Sequence, residues 1–279
     1  MSPVPLFVPR RSLPARPVPT WTKARRLLTG PNAIRVVSVL VFLSIWEYYG
    51  RAASPIFMAP PSAILKAAVE LFKTGAMQRA MLQTLGPFCL GLLLTIVIGV
   101  VVGISIAQSK TLECVLDPFI NALYAIPRVA LVPLIILWAG LGFAGKVTIV
   151  VSTAVFPIIV NTYSGVRDVR GALLDVGRAY GCTSRQSFFK IILPSAVPFI
   201  MAGIRLAIGL AIIGIVVAEF FTAMSGLGGL IVEYSNNFAT ARLFVPIIVL
   251  AIGGVLLTEA VMFVERRISR WRISEQERF

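Results

Sequence analysis

The sequence predicts an all-α membrane protein with six transmembrane helices, and three observations carry that reading. Of 279 residues, 57% are hydrophobic and 14% charged, with a mean hydropathy of +0.88; soluble domains carry roughly 25% charged residues. The apolar residues gather into six runs, at about 34–49, 85–108, 118–140, 146–165, 197–223 and 243–264, most of them long enough for a helix to cross hydrocarbon. The 26 Lys and Arg against 12 Asp and Glu sit between those runs, not on one soluble face. The net charge of +14 therefore reads as membrane orientation, and nucleic acid is not an expected partner.

In chain order, residues 1–33 form a basic, Pro-rich tail with Arg10, Arg11, Arg16, Lys23, Arg25 and Arg26. That is too long for the charged part of a leader, and no A-x-A-like cleavage pattern stands near Arg51-Ala52-Ala53. The tail reads as cytoplasmic and the run after it as a retained membrane helix. The first run is short, with Arg35 and Glu47 at its ends, where charged heads reach the interface. Residues 60–82 read as an amphipathic segment outside the bilayer. Pro60-Pro61-Ser62 starts a helix with Ile64, Leu65, Ala68, Leu71 and Phe72 on one face.

The second run contains Gly99-Val-Val-Val-Gly103, a spacing that permits close helix approach and makes this face a candidate seam with a second copy. Pro127 and Pro133 interrupt the third run and Arg128 lies inside it, so this span should be kinked and packed within the bundle. The fifth run holds Arg205 and ends near Glu219; Ser225-Gly-Leu-Gly-Gly229 follows it, a turn or short re-entrant element. No Lys-Ser/Thr follows those glycines, so they are no phosphate loop. The sixth run carries Glu259, and residues 266–279 form a basic C-terminal tail.

Eighteen Lys and Arg fall on the side of the termini and six on the other, which places both termini in the cytoplasm. Arg128 and Arg205 complete the count from inside the spans. An arginine at membrane depth is costly and faces a bundle interior or a watery cavity. Two roles suit these residues: attraction of an anionic solute, or structural pairing, for instance with Asp117 or Glu219. Glu219 and Glu259 can likewise be packing hydrogen-bond partners. Cys89, Cys114 and Cys182 are scattered, with no disulfide or metal spacing. The chain has no histidine and no G-x-S-x-G pattern, and its spans are poor in carboxylates. An enzyme is not expected.

The stretch 166–196 between the fourth and fifth runs far exceeds the usual connection of about 4–6 residues. In it Leu173, Leu174, Val176 and Tyr180 can share one helical side, with Asp175, Arg178 and Arg170 on another. Gly181 is placed to end that helix in a left-handed cap. Thr183 or Ser184 can cap a second helix bearing Phe188, Phe189 and Ile192, which Pro194 should stop. An apolar hairpin outside the bilayer needs a protein partner.

This stretch resembles the signature loop of the permease subunits of ATP-binding cassette importers, E-A-A, three residues, G, nine residues, I-x-L-P. Gly181 is followed after nine residues by Ile191, with Leu193-Pro194 in register and Asp175-Val176-Gly177 at the E-A-A positions. Roughly residues 60–265 share the resemblance. Pro60-Pro61-Ser62, Ile126-Pro127-Arg128 through Leu141-Gly142, Gly203-Ile204-Arg205-Leu206 and Ala218-Glu219 look like the nitrate/sulfonate/taurine branch.

The resemblance implies a type I importer permease architecture, with a permease domain at 34–265 in a bacterial plasma (inner) membrane. It implies a second permease copy as a homodimer, two ATPase subunits docked on the hairpins, and an extracytoplasmic solute-binding protein delivering a small anionic solute. ATP and magnesium would belong to the ATPase subunits, leaving no cofactor on this chain. The coupling loop would comprise Asp175, Val176, Gly177, Arg178, Ala179, Tyr180, Gly181, Ile191, Leu193 and Pro194. The path would be lined by Arg128, Arg205 and Glu219.

Overall fold

The computed structural model describes residues 31–169, 171–222 and 225–268. The two basic tails, but for their innermost few residues, and Arg170 lie outside that set. Among the described residues every element is helical. They are α1 (Pro31–Ala52), α2 (Pro61–Lys73), α3 (Ala76–Gln108) and α4 (Lys110–Ala125), then a 3-10 turn (Arg128–Leu131) and α5 (Val132–Ala139). After these come α6 (Phe143–Arg167), α7 (Gly171–Ala179), α8 (Ser184–Ser187), α9 (Leu193–Phe221), α10 (Gly226–Asn236) and α11 (Thr240–Ile268).

The core is the interlock of α3, α6 and α9. Val150, Ala154 and Ile158 of α6 pack with Ala207, Ile208, Ala211 and Ile215 of α9, all of them buried. Lipid offers no hydrophobic gain for helix association, so small residues that let backbones approach decide which helices meet. On α3 those are Gly91, Gly99 and Gly103, where a Cβ would come within 2.7 Å of Val150, Ile158 and Thr162 of α6. The Gly99–Gly103 spacing therefore serves contact with α6 within the subunit, where the sequence offered a seam with a second copy only as a candidate.

Among the described residues, five helices are long and apolar enough to cross a bilayer. Most outrun the apolar runs seen in the sequence, because helical hydrogen bonding continues into the polar first and last turns. The expected third crossing is divided among α4, the 3-10 turn and α5, so it is broken where only a kink was expected. Ile126, before Pro127, is pushed to an extended conformation at φ −69°, ψ 132° and ends α4. Pro133 sits in the first turn of α5, where a missing N–H costs nothing. Gly140, at φ +78°, closes α5.

The amphipathic segment expected over 60–82 begins with Pro61 at a helix start, as its sequence suggests, but it ends at Lys73, and Gly75 at φ +73° separates it from α3. Glu47 of α1 accepts from the N–H of Ser62 at 3.0 Å and from its hydroxyl at 2.6 Å, a carboxylate on a helix N-terminus. The buried face is Ile64, Ala67 and Leu71. Leu65 and Phe72, expected on that face, line an open apolar groove of about 530 Å³ with α1 and α11. The difference is a rotation of the helix that seats Ile64 and Leu71 beside Met77, Leu227 and Val245.

Candidate functional site

The stretch 171–194 folds as a helical hairpin built on local signals. Gly181 stands at φ +71°, a conformation nearly free for a residue without Cβ. The N–H of Cys182 bonds the Gly177 carbonyl at 3.0 Å and that of Gly181 bonds the Arg178 carbonyl at 2.9 Å, the paired bonds of a Schellman termination. Two residues on, Thr183 accepts from the Gln186 N–H while the Gln186 side chain accepts from the Thr183 N–H, a capping box that opens α8.

Pro194 does not stop this second arm. A π turn at Phe188–Ile192, in which Leu193 bonds back to the Phe188 carbonyl, resets the hydrogen-bond register just before a residue that cannot donate. The helix then runs unbroken from Ser184 to Phe221. Gly177 is buried against the arm, and a Cβ there would lie 2.7 Å from Ile191 Cδ1. An alanine, which the loop pattern has at this position, would need only the tip of Ile191 to turn aside. Asp175 and Arg178 pair at 3.4 Å in the open, with Ala179 exposed beside them. Val176, Tyr180 and Phe189 leave an apolar face uncovered, Tyr180 at 85% exposure. Leu193 and Pro194 are half-buried where the arm joins α9.

The structure does not gather Arg128, Arg205 and Glu219 into one site. Arg128, on the 3-10 turn, places its guanidinium 5.5 Å from the ring centre of Phe156 on α6. Arg205 on α9 pairs with Glu265 on α11 and edges a groove of about 520 Å³ with Thr258 and Glu259. Glu219 lies on the same helix, roughly 21 Å further along at 1.5 Å per residue. It is fully buried and accepts from the Thr84 hydroxyl at 2.8 Å and the Gly228 N–H at 2.7 Å, with Lys146 Nζ at 3.7 Å. The Lys146 ammonium, 8% exposed, donates to the Ser225 hydroxyl at 2.8 Å.

At the other end of α6, Glu113 of α4 accepts from the Tyr163 hydroxyl at 2.7 Å and pairs with Arg167. The Tyr163 hydrogen bond, aided by Arg167, holds the Glu113 carboxyl below the usual carboxylate range. This cluster sits where α6 passes into the hairpin.

Sequence reasoning missed Lys146, Thr84, Gln83, Tyr163 and Glu113. Lys146 counts in the sequence as an ordinary outer lysine at a helix start, and no local pattern marks it as buried. The available signal is Ser225-Gly-Leu-Gly-Gly229 close after Glu219. A Cβ at Gly226 would overlap the Glu219 carboxylate, and one at Gly228 would lie 2.7 Å from the Glu219 Cβ.

Residues 96–270 match the family described as "Binding-protein-dependent transport system inner membrane component". A protein of Bacillus subtilis (strain 168) named as an aliphatic sulfonates transport permease, SsuC, is 34% identical over 84% of this chain and 86% of its own length. The formylaminopyrimidine transport permease ThiX of Halalkalibacterium halodurans is 30% identical over 84% and 93%. The taurine transport system permease TauC of Escherichia coli (strain K12) is 26% identical over 90% and 92%. A crystal structure of an amino acid ABC transporter with histidines superposes with a TM-score of 0.56 at 16% identity, over 72% of this chain and 96% of that one. It shares the fold.

Proposed function

Because this chain belongs to the family of binding-protein-dependent transport system inner membrane components, we propose that its hairpin 171–194 is the element on which a partner ATPase acts. The chain is a permease subunit of an ATP-driven importer, set in the inner membrane by several helices, and is not itself an enzyme. Such importers associate a permease with an ATP-binding cassette ATPase and a solute-binding protein.

One observation carries the proposal: the second arm of the hairpin is the start of a spanning helix. Ser184–Phe221 is continuous, so a push on the exposed face of α7 that is passed to the second arm, where Gly177 is buried against it, travels along one helix to the far side of the membrane. Tyr180, Val176 and Phe189 supply that face, and the Gly177–Ile191 contact fixes its angle. ATP and magnesium belong to two ATPase subunits, one for each hairpin of a permease homodimer. The apolar sides of α1 and α11 that the chain leaves uncovered are for lipid and that second copy.

The solute is a small anion of the sulfonate type, in keeping with the named cargo of two relatives and with Arg128 and Arg205 at membrane depth. Uptake by the reconstituted importer tests both points. Gly181→Val should abolish uptake while the chain still inserts, and a short alkyl sulfonate should be taken up in preference to formylaminopyrimidine. Coupled uptake by Gly181→Val would refute the hairpin, and a preference for formylaminopyrimidine would refute the anion. Arg128→Gln or Arg205→Gln should lower uptake in an intact complex, with Lys restoring part of it where charge alone is needed. Both termini lie in the cytoplasm: with Cys89, Cys114 and Cys182 removed, an impermeant thiol reagent should label a cysteine at position 62 and not one at position 184.

A further inference from the structure

The first turn of α10 borrows its caps from other helices. A helix leaves its first N–H groups without partners inside itself, and Ser225, at the N-cap, supplies no side-chain cap. Instead the N–H of Gly226 bonds Gln83 Oε1 at 2.9 Å, that of Leu227 bonds Thr84 Oγ1 at 2.9 Å, and that of Gly228 bonds Glu219 Oε2 at 2.7 Å. Gln83 and Thr84 belong to α3 and Glu219 to the last turn of α9. Lys146, in the first turn of α6, closes the set by reaching both Ser225 and Glu219. The outer ends of α3, α6 and α9 thus meet on one carboxylate, completely enclosed.

Two properties separate this set from ordinary packing. A buried ion pair is poor as a stabiliser, because its desolvation consumes most of its attraction and an apolar pair of similar volume does as well or better. What it does supply is one permitted arrangement, since any displacement leaves a buried charge or donor unmatched. The glycines enforce that arrangement, because Gly226 and Gly228 leave no space in which another residue could accompany a shifted Glu219.

On the premise that the chain is an importer permease, we propose that Glu219 and Lys146 are positioning residues for transport: through Thr84 and the first turn of α10 they join the outer ends of α3, α6 and α9 into one body. The far end of α9 is the hairpin arm. Movement delivered there arrives at Glu219 and is shared with α3, α6 and α10 together. The outer opening of the path then forms beside this body, not through the α9–α10 corner. Glu219 acts through its neighbours and does not touch solute.

Spin labels at positions 78 and 235, both exposed, in a chain with Cys89, Cys114 and Cys182 replaced by serine, would report the α3–α10 distance. The measurement is made on the assembled importer in lipid. We expect one narrow distance, the same without nucleotide and with ATP trapped. Glu219→Gln should broaden it and lower uptake by roughly tenfold or more while the ATPase still turns over, because Lys146 is left buried without its carboxylate. A distance in the parent complex that changes by several ångströms on ATP binding would overturn the proposal, and this arm needs no variant to fold. A narrow distance with full uptake in Glu219→Gln would overturn it too, as would parallel loss of uptake and ATPase activity. A parent complex that hydrolyses ATP but imports nothing would instead refute the importer reading, and the label distance would still decide whether the corner is rigid.

Discussion

Helix α6 is held at its two ends by carboxylates in opposite surroundings. At its N-terminal end Lys146 meets a Glu219 that water does not reach. At its C-terminal end Tyr163 and Arg167 meet a Glu113 that remains partly exposed, with Arg167 at 43%. The chemistry is nearly the same and the physics is not. Inside, every donor facing the carboxylate is obligatory, because nothing else can satisfy it once water is gone. Outside, water stands ready as a substitute and salt screens the charges. The buried cluster therefore fixes a position, and the exposed one ties α4 to the root of the hairpin while still letting it yield.

Substitutions at the buried end should give the largest effects. Glu219→Leu strands Lys146 and the Gly228 N–H and should cost about 3–5 kcal/mol of stability. Lys146→Met leaves Glu219 its Thr84 and Gly228 donors, and about 1–3 kcal/mol is expected. Thermal unfolding of the purified complex in lipid measures both, and equal losses would erase the distinction between the two partners. Gly181→Val comes next. It forces a β-branched residue into the left-handed region at roughly 1–2 kcal/mol. Because the strain sits in the hairpin, uptake should fall far more than thermal stability. Thr183→Ala removes the capping box of the same hairpin, at about 1 kcal/mol, and should reduce ATPase affinity without uncoupling it.

The exposed end should respond least, and to different variables. Glu113→Gln should leave the melting temperature nearly unchanged, and 1 M salt, where the screening length is about 3 Å, should mimic it while leaving the Glu219 variants as they were. Acid should act the same way. The Glu113 carboxyl titrates below its ordinary 4.5 when folded, so its contribution is complete at neutral pH and above 4.5. It is lost as pH falls through the lowered value. Hydrogen exchange at the start of α7 reads that loss, and insensitivity to both salt and acid would place Glu113 in the same class as Glu219.

How much of this was legible in the chain depends on distance along it. Composition and apolar runs settled the membrane class, because no soluble core could hide so much apolar surface. The hairpin was legible too: Gly181, Thr183 and Gln186 act on backbone within a few residues of themselves. Pro194 misled, because a stop signal that holds in isolation is absorbed by the π turn just before it. The Gly99–Gly103 spacing announced close approach but not to which helix, and only the fold supplies Ile158 and Thr162 as its neighbours. The buried network around Glu219 was beyond any local reading. Thr84 and Glu219 stand 135 positions apart, and Lys146 and Ser225 stand 79 apart. A buried charge is defined by what surrounds it, and helices far apart in the chain build those surroundings. The sequence by itself determined the membrane class, five of its apolar runs as long helices, and where the hairpin turns. Tertiary structure alone decided which charges lost their water and so became fixed points.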